Sequence, residues 1–265
     1  MEIAGYIASI LIGISLGLIG GGGSILTVPV LVYLFSVEPL LATAYSLFIV
    51  GSTALVGGIQ NIIKKQVSLK TALVFAIPSF VAVYLTRRYI MPAIPEELFT
   101  VGNIEISRAS GIMLFFAIIM VAASISMIRD KREDEECEDC EPHFNLPMIL
   151  LEGTVVGMLT GIVGAGGGFL IIPALVLFAR VPMKIAVGTS LLIIAAKSLI
   201  GFLGDIGSEL PIDWRFLITV TVIAIGGIFI GTYLTKFING KKLKAGFGWF
   251  VLIMAAYIIA KELMI

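Results

Sequence analysis

The chain has 265 residues, of which 58% are hydrophobic and 14% charged, with 18 basic side chains balanced by 18 acidic ones. A soluble domain carries about 25% charged residues, and a mean hydropathy of +1.08 leaves too little polar surface to cover a water-exposed globule. This composition excludes a soluble enzyme and a disordered chain, and the absence of a basic excess argues against a nucleic-acid partner.

In chain order, the first apolar run extends from Ile3 to Val37 without a charge. It starts Met1-Glu2 with no basic n-region, and no small-x-small site follows a short apolar core, so it reads as structure rather than as a leader. Gly20 to Gly23 split it into 3–19 and 24–36. Three clear spans follow at 40–63, 70–90 and 108–128. The segment 129–146 is different in kind, with 11 charges between Arg129 and Glu141. Apolar segments then resume at 147–163 and 168–180, again split by glycines, and continue as spans at 184–204, 214–236 and 244–263. A helix needs about 20 mostly apolar residues to cross the hydrocarbon core. The second member of each split pair has 13 residues, about 20 Å of helix, which suits a hairpin that enters and turns back or a tilted short-helix pair. Strand-like alternation is absent, which argues against a membrane barrel. The expected fold is an all-α polytopic membrane protein with eight to ten hydrophobic segments.

The chain repeats itself. Shifted by 144, Gly17–Leu34 falls on Gly161–Phe178 with 8 of 18 positions identical and no gap, including Gly20 on Gly164 and Pro29 on Pro173. The same shift carries Ala42 onto Ala186, Ser46 onto Ser190 and Gly57 onto Gly201. Two membrane repeats, 1–128 and 147–265, are expected around the linker 129–146, each with three full spans and a glycine-broken pair. Basic residues in short loops mark the cytoplasmic side. Lys64, Lys65 and Lys70, then Arg129, Lys131 and Arg132, then Lys236, Lys241, Lys242 and Lys244 mark three such segments. Loop 205–213 carries only acidic charges, and loop 91–107 carries Glu96, Glu97 and Glu105, so both read as external; Arg87, Arg88 and Arg108 flank the latter. The shift sets loop 64–70 onto loop 208–214, on the opposite side, so the repeats are expected to be inverted.

The glycine breaks carry the chemical signal. Each interior glycine costs a helix about 1 kcal/mol, and unwound backbone in lipid is tolerated only where protein or a polar cavity satisfies it. Helices restarting near Ser24 and Gly168 would aim N-terminal N–H groups, the positive dipole ends, into the protein, where they favour anions. Paired broken helices in inverted halves point to a transporter site near mid-membrane; close packing through small residues is the plainer explanation. Candidate substrate contacts are Gly20, Gly21, Gly22, Gly23 and Ser24 in the first half. In the second they are Gly164, Gly166, Gly167 and Gly168. Thr43 and Ser46, with Thr189 and Ser190, follow the two breaks and could line the site, although such hydroxyls often bond their own helix. Lys197 is a lone charge within Ile185–Gly204. It reads as an anion contact or coupling group, or else as half of an ion pair with Asp205 or Glu152.

The linker holds both cysteines and the only histidine, as Cys137-Glu-Asp-Cys140-Glu-Pro-His143. Cys137, Cys140 and His143 have zinc-ligand spacing and one ligand too few; a solvated acidic loop with reduced cysteines is the alternative. No cofactor is expected. The spans lack His, Cys and paired carboxylates, so intramembrane acid–base or nucleophilic catalysis lacks its parts and no enzyme is expected.

The segments Gly20–Pro29 and Gly164–Pro173, the stretch Ala186-Val-Gly-Thr-Ser-Leu191, and Gly201 ahead of an acidic loop ending Asp213-Trp214 resemble the TauE/SafE sulfite exporter family over nearly the whole chain. The resemblance implies a multi-pass inner-membrane secondary transporter or facilitator. Its expected partners are the bilayer and a small sulfur-containing anion such as sulfite, sulfoacetate or another sulfonate, or thiosulfate. A coupling proton or sodium ion and a homo-oligomer are left open. The competing expectation is a membrane-embedded redox or sulfur-handling protein that uses the Cys-x-x-Cys segment.

Overall fold

The computed structural model describes residues 2–21, 23–95, 97–101, 104–129, 146–163, 168, 171–172, 175, 183–206, 211–234 and 240–263. The first half forms α1 (Glu2–Ile19), α2 (Ser24–Tyr33), α3 (Pro39–Ile63) and α4 (Leu69–Leu85). The path of α4 continues through a π-helical turn, Thr86–Ile90, into a short turn α5 (Met91–Ala93). A two-stranded hairpin follows, β1 (Glu97–Val101) against β2 (Ile104–Ser107), and then α6 (Arg108–Arg129). The second half forms α7 (Leu146–Val163), α8 (Met183–Asp205), α9 (Trp214–Leu234) and α10 (Gly240–Leu263). In the segment expected at 168–180, positions 168, 171, 172 and 175 are described, and all are helical.

Local chemistry sets the helix starts. Glu38 caps α3, its carboxylate accepting from the Leu40 and Leu41 N–H groups at 3.1 and 3.0 Å, with Pro39 at the first helical position. Asp213 does the same for α9, accepting from Arg215 and Phe216 at 3.0 and 3.1 Å. Ser68 begins α4. Among the described residues, four helices are long and apolar enough to cross a membrane: Pro39–Ile63, Leu69–Ala93, Ile185–Asp205 and Trp214–Leu234. The sequence reading leaves the hairpin out. It lies in loop 91–107, outside the spans, and pairs two short runs rich in β-branched and aromatic residues, Val101 opposite Ile104 and Phe99 opposite Ile106. Four or five alternating residues are too few to stand out beside spans of 20.

The two halves are packed into each other. α1 lies along α9, and α7 lies along α4. In each pair a row of glycines brings the backbones together: Gly13 and Gly17 of α1 meet Ala224, Gly227 and Gly231, and Gly157 and Gly161 of α7 meet Ser79, Ala82, Val83 and Thr86. α3 pairs with α8 and α6 with α10. In the α3–α8 pair, Gly51 faces Leu199 and Gly58 faces Leu192, so the two helices run antiparallel. Along their apolar stretches α3 and α8 are each 67% buried, against 39% for α9, which puts α3 and α8 at the centre and leaves much of α9 facing outward. Ile218, Val222, Phe229 and Ile230 on α9 are exposed, the surface expected of a helix whose solvent is hydrocarbon.

Candidate functional site

One face of α8 organises the interior. Val187, Ser190, Ile194 and Lys197 recur at helical spacing, so they share a side. At its first turns this face meets the first glycine break: Val187 packs on Gly20, and the Ser190 hydroxyl donates to the Gly20 carbonyl at 3.2 Å and to the Val187 carbonyl at 2.8 Å. Gly20 has φ +76°, a left-handed conformation that a side chain would strain. The Ile194 side chain then lies against Gly168 of the second break. The first break touches Gly168 directly: a methyl group on Gly21 would lie 2.5 Å from the Gly168 carbonyl carbon. Ser24 stays local, its hydroxyl donating to the Gly21 carbonyl at 2.7 Å, and Gly23 folds back against Ile12 and Leu16 of α1.

Two turns further along this face, Lys197 is fully buried. Its ammonium donates to the Thr160 hydroxyl of α7 at 3.0 Å, and among the described residues no carboxylate pairs with it. The pairing with Asp205 or Glu152 weighed from sequence is therefore not formed. Asp205 belongs to a different cation. Arg87 flanks loop 91–107 in the sequence, and its side chain turns inward, 1% exposed. Its Nε donates to Asp205 Oδ2 at 2.8 Å, its Nη2 forms a salt bridge to the same oxygen, and its Nη1 donates to the Thr43 hydroxyl at 2.8 Å and the Gly161 carbonyl at 3.3 Å. Arg87 lies inside the segment 70–90 but close to its end, where a basic residue reads the same whether it turns outward or inward. Thr160 and Gly161 carried no signal beyond the repeat.

The remaining candidates are dispersed. Thr43 is joined to Arg87 rather than to a break, and Thr189 accepts from the Ser68 N–H at 2.9 Å, tying α8 to the loop before α4. Ser46 is buried, and its hydroxyl has no hydrogen-bond partner among the described residues; the same holds for Thr53 and Ser198. Gly22, Gly164, Gly166 and Gly167 lie outside the described residues, as do Cys137, Cys140 and His143. A cavity of about 560 Å³ opens between α1, α2, α3 and α9, lined by Tyr6, Phe35, Ser36, Glu38, Tyr45 and Asp213 among others. Tyr45 accepts the Asp213 N–H at 2.6 Å across it.

Buried hydroxyls, two buried cations and a glycine break at Gly20–Gly21 among membrane-length helices define a polytopic membrane protein with a polar interior. The chain belongs to the Sulfite exporter TauE/SafE family, whose profile matches residues 6–258. It is 31% identical over 256 residues to a protein of Xylella fastidiosa (strain 9a5c) named "Probable membrane transporter protein", covering 94% of this chain and 91% of that one. It is 26% identical over 246 residues to "Probable membrane transporter protein YunE" of Bacillus subtilis (strain 168), covering 84% and 83%. No solved structure matches the chain. The protein is thus a multi-pass membrane transporter and not an enzyme.

Proposed function

We propose that the chain is a secondary transporter or facilitator for a small sulfur-containing anion such as sulfite, thiosulfate or a short sulfonate, acting in the inner membrane. The anion binds where the two glycine breaks meet, along the α8 face from Ser190 to Lys197. The observation that carries this reading is Lys197: a fully buried ammonium with one neutral hydroxyl partner and no carboxylate among the described residues. Such a charge is costly in a low-dielectric interior unless an anion visits it. Gly20 and Gly21 of the first break and Gly168 lie along the same face, where the absence of side chains leaves the backbone open to close approach.

The two repeats, 1–128 and 147–265, are inverted in this reading, with the linker 129–146 on the cytoplasmic side. Two features support the inversion. The loops marked by lysines and those marked by carboxylates fall at equivalent points of the repeats. The helix contacts also interchange between halves, α1 with α9 as α7 with α4. Inverted repeats around a shared midplane site suit alternating access.

The test is uptake by purified protein in liposomes, with sulfite, thiosulfate and sulfoacetate as substrates and sulfate and phosphate as controls. Uptake of at least one sulfur anion above protein-free vesicles supports the proposal. Absence of uptake for all three in either membrane orientation, with or without a proton or sodium gradient, refutes it.

A further inference from the structure

We infer that Arg87 is an anion-binding residue, and that in the state described here Asp205 holds the place on its guanidinium that a transported oxyanion takes. The inference rests on the transporter reading above and adds a second anion position to it. Arg87 is shaped for this use. It occupies a π-helical turn, Thr86–Ile90, a distortion that costs hydrogen-bond geometry and recurs at functional sites. The turn points the side chain inward, where Gly204 lies against its Cβ. One edge of the guanidinium, Nε and Nη2, is given wholly to one oxygen of Asp205. That edge is the fork that grips any oxyanion, whether carboxylate, sulfite or sulfonate. The other edge is anchored by neutral groups, the Thr43 hydroxyl and the Gly161 carbonyl. Arg87 therefore keeps its position when the carboxylate leaves.

Asp205 is placed to leave. It is the last residue of α8, immediately before the segment that leads to α9. Arg87 is fixed from both sides by α3 and α7, and Asp205 meets it from the last turn of α8. The site also lies on the path of the first. Lys197 and Asp205 are eight residues apart on α8, about 12 Å, and Gly161 is adjacent to Thr160, the partner of Lys197. An anion that replaces Asp205 on Arg87 keeps the buried guanidinium neutralised, while the displaced carboxylate, at the last residue of α8, is taken up by water. The carboxylate is then an internal competitor. If it holds Arg87 for nine-tenths of the time or more, the apparent affinity for a free anion is lowered tenfold or more.

The experiment measures thiosulfate and methanesulfonate binding by calorimetry on the purified full-length protein at fixed ionic strength. Three forms are compared: wild type, Asp205→Asn, and the neutral double variant Arg87→Gln/Asp205→Asn. The expected result is that Asp205→Asn binds thiosulfate at least tenfold more tightly than wild type, and that the double variant loses that gain. A pair serving only structure would not tighten anion binding. If Asp205→Asn fails to fold, the double variant, which buries no charge at this point, is compared with wild type: a tenfold or greater loss of affinity supports the inference, and undiminished affinity overturns it. A wild type that binds and transports thiosulfate while Asp205→Asn binds no tighter overturns the inference and leaves the transporter reading intact. Binding by none of the forms overturns both.

Discussion

At the scale of single residues, the interior is decided by where two cations find their partners. Arg87 has Asp205, whereas among the described residues Lys197 has only the Thr160 hydroxyl. Lys197→Met keeps the volume and removes the charge. If substrate reaches the ammonium, anion affinity falls by about 1.5–3 kcal/mol, roughly tenfold to over a hundredfold, and Lys197→Arg recovers part of it. The melting temperature should hold or rise, because no carboxylate among the described residues is orphaned by the change. Unchanged affinity in the folded Met variant would remove Lys197 from the site. Gly21 gives a second test. A methyl group there meets backbone at 2.5 Å, so Gly21→Ala forces the two breaks apart at a cost of about 1–3 kcal/mol. Uptake per folded molecule should fall at least tenfold; normal uptake would mean that the junction of the breaks is not where substrate passes. Lys197 was legible in the sequence because a charge within an apolar run announces itself. Arg87 was not, because a basic residue near a span end looks the same whether it turns outward or inward. The π turn that decides this leaves no mark in composition.

At the scale of elements, the glycine rows are packing devices distinct from the breaks. Gly13 on α1 and Gly157 on α7 stand one repeat apart, and each meets the backbone of its partner helix, at Ala224 and Ser79 respectively. Gly13→Val and Gly157→Val should therefore destabilise alike, by about 1–3 kcal/mol each, measured as loss of melting temperature in the same detergent. A marked inequality would show that the two interfaces are not equivalent. Most of the helices were legible from apolar runs and capping residues: α3 and α8 begin and end within one or two residues of the expected bounds. The short α2 ends at Tyr33 rather than at 36, where Ser36 takes φ 56° and turns the chain. Hydropathy cannot see such an ending, because Leu34 and Phe35 remain apolar after the helix has stopped.

At the scale of the whole molecule, the inverted arrangement is open to a direct check. In a Cys137→Ser/Cys140→Ser background, single cysteines replacing Lys65 and Ile212 should react with a membrane-impermeant thiol reagent from opposite faces. Reaction from the same face would make the repeats parallel and would undo the proposed alternating access. The repeat itself was legible, since four glycines and a proline held register over 144 positions. Which helix of one half would seek which helix of the other was not. That choice rests on the matching of small surfaces across α1–α9 and α4–α7, and a single sequence lists such surfaces without pairing them.

The exchange of helices between halves has a consequence for how the chain is made. α1 is synthesised first, but the surface it packs on belongs to α9, about 195 residues later. At about 5–20 residues per second, α1 passes roughly 10–40 s with its glycine row against lipid or the insertion machinery rather than against its partner. Neither half can complete its own interior beforehand, so the final assembly of the bundle belongs to the end of translation. A ribosome that stalls before Trp214 leaves behind a chain whose first helix has nothing to hold.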